Sequence, residues 1–197
     1  MYISNLVIKN YRTFGDFEIK LKPLTLIIGE NNIGKSNLLD SIGLILGQDV
    51  SYNKRRILEV ADFNYKEILR FKSEVLDFDI PISKIKYPEI FIEATFTDWD
   101  EDQESVVGDW FSNEDFTEVK LAYKFAPGPR FKREEDLQRQ RDFIKKFIKE
   151  NTQEIYDNLL PNAKLDLINF PISKYFYTIY GGGKRSSRAK SYHLNQI

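Results

Sequence analysis

The stretch Gly29-Glu30-Asn31-Asn32-Ile33-Gly34-Lys35-Ser36 has the spacing Gly-x4-Gly-Lys-Ser. Each position suits the holding of a phosphate chain. Several backbone N–H groups must point into one concavity, and glycine lets the backbone curl that tightly without a Cβ clash. A helix beginning at the end of the loop adds the positive end of its dipole. Lys35 brings a point charge to the outer phosphates, and the Ser36 hydroxyl can ligate a magnesium ion. The bland reading, a glycine-bearing turn before a helix, requires no lysine and serine at these places.

The other chemically active residue types offer less. There is no cysteine, which excludes disulfides and thiolate metal sites. His193 is the one histidine, so zinc would need an all-carboxylate set, and a structural role suits this residue better than catalysis. The acidic run Asp98, Asp100, Glu101, Asp102 and Glu104 is interleaved with Trp99 and Gln103 and matches no calcium-loop spacing, so it reads as a solvated loop. Lys184, Arg185, Arg188 and Lys190, beside Tyr180 and Tyr192, have the composition of a nucleic-acid backbone grip. An exposed glycine- and serine-rich loop explains the same residues.

The phosphate loop needs a buried strand before it and a helix after it, and the flanking pattern supplies both. Leu24 to Ile28 is an unbroken apolar run of strand length, as in a strand buried on both faces. Past Gly34, Leu38, Leu39, Ile42, Ile45 and Leu46 recur at helical spacing, and Gly47 sits where such a helix would end. Upstream, residues 2–9 and 16–21 read as strands, the second with Phe17, Ile19 and Leu21 on one face. Residues 49–87 suggest loops and one or two short helices. Residues 90–96 and 119–125 alternate as strands, with 98–113 irregular between them. Ala126-Pro127-Gly128-Pro129 is a break. Arg133 to Leu160 has helical spacing at Leu137, Ile144, Phe147, Ile148 and Ile155, and Tyr175 to Tyr180 reads as a last strand.

Composition sets outer bounds. The 197 residues, 42% apolar and 30% charged, describe a soluble globular chain. A net charge of -1 gives no global attraction to nucleic acid, though a local patch is compatible with it. Met1 to Lys9 lacks the form of a secretory signal, and no stretch approaches the ~18 apolar residues of a membrane span. A cytoplasmic location with no membrane partner is the expectation, and the lack of cysteine fits a reducing compartment.

Taken together, Ile8-Lys9-Asn10-Tyr11-Arg12-Thr13-Phe14, the strand near Phe17 to Leu21, and Leu24 through Leu39 closely resemble the opening of the RecF/SMC-like ABC ATPases. Within that group the resemblance is to the N-terminal ATPase part of the OLD-family (overcoming lysogenisation defect) endonucleases and the Gabija-type antiphage nucleases. It is strong over residues 1–47. It implies an α/β P-loop NTPase fold: a mixed sheet around the phosphate loop, and an antiparallel β-lobe with inserted helices. Residues 1–47 would form the strand-loop-helix core, and residues 48–197 the lobe and helical insertions. The implied cofactors are ATP and Mg²⁺. The implied binding residues are Arg12, Gly29, Asn31, Asn32, Gly34, Lys35, Ser36 and Asn37, with Ser36 the magnesium ligand and no catalytic residue in this chain. Asn32 would lie close to the γ-phosphate. Arg12 matches an arginine near the nucleotide phosphates or nearby DNA in relatives, and its alternative reading is a surface arginine in a turn.

The family's glutamine loop, signature motif, apolar strand ending in Asp-Glu and Toprim-type acidic cluster have no match in this sequence. The expectation is therefore an N-terminal portion of a longer ATPase, binding ATP without efficient hydrolysis on its own. Its implied partners are another copy or a complementing ATPase half, and DNA through the full-length protein, in DNA repair or phage defence. A non-catalytic, ATP-dependent assembly or regulatory protein is the alternative. A P-loop small-molecule kinase fits poorly with the β-rich stretch between residues 90 and 125. A GTPase fails on base recognition, because Asn53-Lys54-Arg55-Arg56 does not complete Asn-Lys-x-Asp.

Overall fold

In the computed structural model, residues 1–30, 34–47 and 58–182 are described. Two strands, β1 (Tyr2–Tyr11) and β2 (Phe14–Lys20), form a hairpin, and helix α1 (Lys35–Leu46) follows the phosphate loop. Helix α2 (Tyr65–Leu76) precedes β3 (Ile90–Thr97). A short helix, α3 (Glu101–Val107), joins β3 to β4 (Val119–Pro127). The long helix α4 (Arg133–Asn151), two short helices α5 (Gln153–Asp157) and α6 (Pro161–Asp166), and β5 (Tyr175–Gly181) complete the α/β fold.

The strands make one antiparallel sheet in the order β2-β1-β3-β4-β5. Its register explains the alternation in the sequence. One row across the sheet runs Phe17, Ile8, Ile92, Tyr123, Ile179. The next runs Ile19, Leu6, Ala94, Leu121, Gly181. In a strand every second side chain shares a face, so these rows form one continuous apolar surface. Leu6, Ile8, Ile92 and Ala94 are fully buried in it. Removing a large aliphatic side chain of this kind from water contributes about 1.5–3 kcal/mol. Helix α1 rests on β3 and β4 and buries Leu38, Ser41 and Ile45, while α2 lies against α4 and α6.

Several expectations needed adjustment. Leu24 to Ile28 pairs with none of the described strands, and Leu24, Leu26 and Ile28 are 90%, 81% and 83% exposed. A strand buried on both faces needs a packed layer over each, and the described sheet, β2-β1-β3-β4-β5, does not include this run. The helix anticipated from Arg133 to Leu160 stops at Asn151. Thr152 adopts a left-handed φ of 68°, which ends the helical hydrogen bonding and starts α5. Residues 98–113 are not wholly irregular. Asp100 accepts from the Gln103 N–H while the Gln103 side chain accepts from the Asp100 N–H, a capping box that starts α3.

Candidate phosphate site

The site is organised at the start of α1. Gly34 precedes the helix with φ 108°, a conformation open to glycine and strained for other residues. A Cβ there would also come within 2.8 Å of the Thr13 Oγ1, so the β1–β2 turn is pressed directly against the loop. The Gly34 carbonyl accepts from the Leu38 N–H, 2.9 Å. No side chain caps the helix and no acidic residue stands in its first turn. The first amides and the positive dipole end therefore remain available to an anion.

Lys35 folds back over the loop, and its ammonium donates to the carbonyls of Gly29 and Glu30. Ser36 is exposed at the helix start. Among the described residues no group of three or more His, Asp or Glu side chains could hold a metal ion. A magnesium ion here would thus take the Ser36 hydroxyl together with phosphate oxygens and water, which is how Mg²⁺ is usually held. The uncapped helix end, the Cβ-excluding cradle at Gly34 and the adjacent ammonium all fit a phosphate chain. Asn31 and Asn32 lie outside the described residues, as do His193 and the basic run from Lys184 to Lys190.

Arg12 stands beside the same helix turn, in a left-handed conformation with φ 48°. Its Nε donates to Asp62 Oδ1 at 2.9 Å. Its Nη1 donates to Asn37 Oδ1 at 2.8 Å and to Asp40 Oδ2 at 2.6 Å. Its main chain is held as well: the Arg12 N–H donates to the Asp62 carbonyl, and its carbonyl accepts from Asn64 Nδ2. Burial works against the guanidinium charge. Hydrogen bonding to Asp62 and then Asp40 outweighs it and raises the pKa above the ordinary value. Asn37, expected to touch nucleotide, here bridges Arg12 and the Thr13 hydroxyl through its two amide ends. Sequence reasoning did not single out Thr13, Asp40, Asp62 or Asn64. The clues available were the position of Asp40 one turn into the helix and the Asp62-x-Asn64 pattern ahead of an amphipathic run.

A cavity of about 490 Å³ lies apart from this site, between α2 and the start of α4, and is lined by Asn10, Arg70, Lys86, Glu89, Arg133 and Glu134 among others. Among its lining charges, Arg70 is held in ion pairs with Glu67 and Glu74, and Glu89 with Lys124.

The AAA ATPase domain family matches residues 1–194, nearly the whole chain. The chain belongs to that family. Among curated proteins it is similar to an OLD nuclease of Thermus scotoductus, 34% identical over 82 residues, which are 42% of this chain and 15% of the nuclease. It is also similar to the DNA replication and repair protein RecF of Paenarthrobacter aurescens, 37% identical over 46 residues, 23% of this chain and 12% of RecF. An ATP/GTP phosphatase of Helicobacter pylori is 35% identical over 77 residues, 39% of this chain and 20% of the phosphatase. The matched region thus spans a fifth or less of the length of these relatives. A solved structure from work on ATP-driven dimerization and DNA-stimulated activation of SMC ATPases aligns with 86% of this chain and 100% of its own, at 20% identity and a TM-score of 0.40. The similarity to an OLD nuclease and to RecF agrees with the resemblance carried by residues 1–47. Among the described residues no helix is long and apolar enough to cross a membrane.

Proposed function

We propose that the chain binds Mg-ATP through the loop from Gly29 to Ser36, as the phosphate-holding portion of a DNA-associated ATPase of the OLD/RecF/SMC-like group. The observation that carries this reading is the uncapped start of α1 behind Gly34, with the Lys35 ammonium beside it. A phosphate chain would draw the ammonium from two neutral carbonyls to a charged acceptor, a stronger hydrogen bond. The α1 amides would donate to the phosphates, and Ser36 would hold the ion that neutralises them. That ion, when bound, supplies charge neutralisation at the outer phosphates. Asn31, Asn32 and Gly29 complete the loop in this reading.

Binding without efficient turnover by this chain alone follows from the same residues. Phosphate positioning needs only backbone and cations, but hydrolysis also needs a group that orients water. Asp40 and Asp62, the carboxylates bonded around the loop's flank, are engaged by Arg12. A complementing half, from a second copy or a further segment, would supply the rest. DNA contact is extended to this chain from the relative named DNA replication and repair protein RecF, and a cytoplasmic location is part of the same proposal.

Calorimetry with Mg-ATP, run beside a phosphate-release assay, tests the reading on this chain and on Lys35→Ala. Binding that drops at least tenfold in the variant, with release at background, is the expected result. Steady release from the wild-type chain that Lys35→Ala abolishes would refute the claim of binding without turnover. Equal binding by the two proteins would refute the site.

A further inference from the structure

We propose that Asp40 and Asp62 are positioning residues that act through Arg12, locking the turn before α2 to the first turns of the phosphate helix. Three separate chain segments meet at one guanidinium. Arg12 comes from the β1–β2 turn, Asn37 and Asp40 from α1, and Asp62 from the short helical turn Val60–Asp62. A guanidinium is a planar fork whose donors are fixed relative to one another, so acceptors bonded to it cannot shift independently. Asp62 is itself immobilised. Its side chain is 7% exposed, and its other oxygen accepts from the Glu59 N–H in a capping box. The lobe side of the contact is therefore rigid, and Arg12 transmits that rigidity to α1.

The backbone supports the same conclusion. Asn10 and Arg12 both have left-handed φ, 57° and 48°, on either side of the fully buried Tyr11. Such a conformation in a non-glycine residue persists only when its surroundings over-determine it. Here the Asn64 N–H donates to the Asn10 carbonyl, the Asn10 side chain donates to the Glu89 carbonyl, and the Arg12 N–H donates to the Asp62 carbonyl. Electrostatics shows why the carboxylates are needed. A cation beside the N-terminal turn of a helix opposes the helix dipole, so an arginine there weakens α1 unless acids balance it. Asp40 and Asp62 provide that balance and leave the end of the helix, where no acid stands in the first turn, to an anion.

The part of this inference that concerns nucleotide affinity rests on the function proposed above; the part that concerns α1 does not. The test therefore has two measurements on Arg12→Ala, Asp62→Ala, the exposed and milder Asp40→Asn, and the Arg12→Ala/Asp62→Ala double variant. Hydrogen exchange of the amides from Leu38 to Ser41, without nucleotide, should quicken by roughly fivefold or more in each single variant. The double variant should match Arg12→Ala to within about twofold, because residues acting as one unit are not additive. Mg-ATP dissociation constants should rise about threefold to tenfold in the same order, while Lys35→Ala loses binding with exchange at Leu38 to Ser41 unchanged. Unchanged exchange in Asp40→Asn and Arg12→Ala, or additive effects in the double variant, would overturn the proposal. Tighter Mg-ATP binding on removing either acid would overturn it too, since the acids would then be restraining Arg12 from the phosphates. If the wild-type chain binds no Mg-ATP, the proposed function falls, and the exchange data still decide the role of the two acids.

Discussion

At the scale of single residues, the start of α1 is tightly constrained. Gly34 combines φ 108° with the Thr13 hydroxyl 2.8 Å from where a Cβ would stand. Gly34→Ala is predicted to lower stability by at least about 1 kcal/mol, because alanine is strained at positive φ and also displaces Thr13. Urea denaturation would measure this, and a stability equal to wild type would contradict the assigned backbone. Arg141 is a second such point. It is buried, and its guanidinium donates to the main-chain carbonyls of Val75, Glu74 and Asp77, closing the C-terminal end of α2. Those of Glu74 and Val75 lie in the last turn of α2 and have no helical partner of their own, while that of Asp77 also accepts from the Ile80 N–H. Arg141→Met keeps much of the volume but strands the carbonyls of Glu74 and Val75, and a loss of about 2–4 kcal/mol is predicted from the cost of unsatisfied acceptors. Arg141→Lys should recover part of that loss, which a melting series on both variants would show. The glycine-lysine-serine pattern was legible in the sequence because its geometry is local. The Arg12 contacts were not, because Asp62 lies fifty positions away in the chain.

At the scale of elements, the segment Leu24 to Ile28 stands out. Its apolar run marks a strand, yet its side chains are exposed and no described strand pairs with it. An unpaired apolar segment presents backbone donors and acceptors to other chains. Self-association of this chain through the segment is therefore predicted, and Leu26→Lys should reduce it. Light scattering against concentration is the measurement. The melting temperature should stay within about 1 °C of wild type, since an exposed leucine contributes little packing. The other strands show when alternation suffices. Ile90, Ile92, Ala94 and Phe96 were readable from period two alone and are all buried. Helix α3 was missed because its apolar content is small and it depends on its capping box, a two-residue signal. The end of α4 was missed because charged residues continue past Asn151 with no glycine or proline to mark the stop.

At the scale of the whole molecule, β1 and β2 share a single sheet with β3, β4 and β5, so the strands that lead into the phosphate loop and those of the lobe form one body. An aromatic cluster helps hold that body together: Phe63 meets Phe125, Phe170 and Tyr175, and Phe71 meets Tyr87 and Phe170. Tyr87, Tyr123 and Tyr175 are buried, and burial is the first cause that raises each pKa above the ordinary 10.0. The sign follows directly. The unfolded chain loses these protons near pH 10 while the folded chain keeps them, so stability is full below that value and falls as pH rises beyond it. Alkaline unfolding is predicted to begin above about pH 10, with tyrosinate absorbance from these side chains appearing only as the fold is lost. Tyrosinate formation by all tyrosines ahead of the circular-dichroism change would contradict it.

The sequence by itself determined the phosphate loop, the helix that follows it, most of the strands and the family to which they point. Each of these depends on neighbours within a few residues, through backbone sterics, side-chain period or helix-end chemistry. Only the tertiary structure decided which strands join, that Leu24 to Ile28 stays outside the described sheet, and that Arg12 is gathered by Asp40, Asp62 and Asn37. Those outcomes depend on which distant segments arrive at the same place, and pairing across such distances leaves no period or spacing in the chain to read.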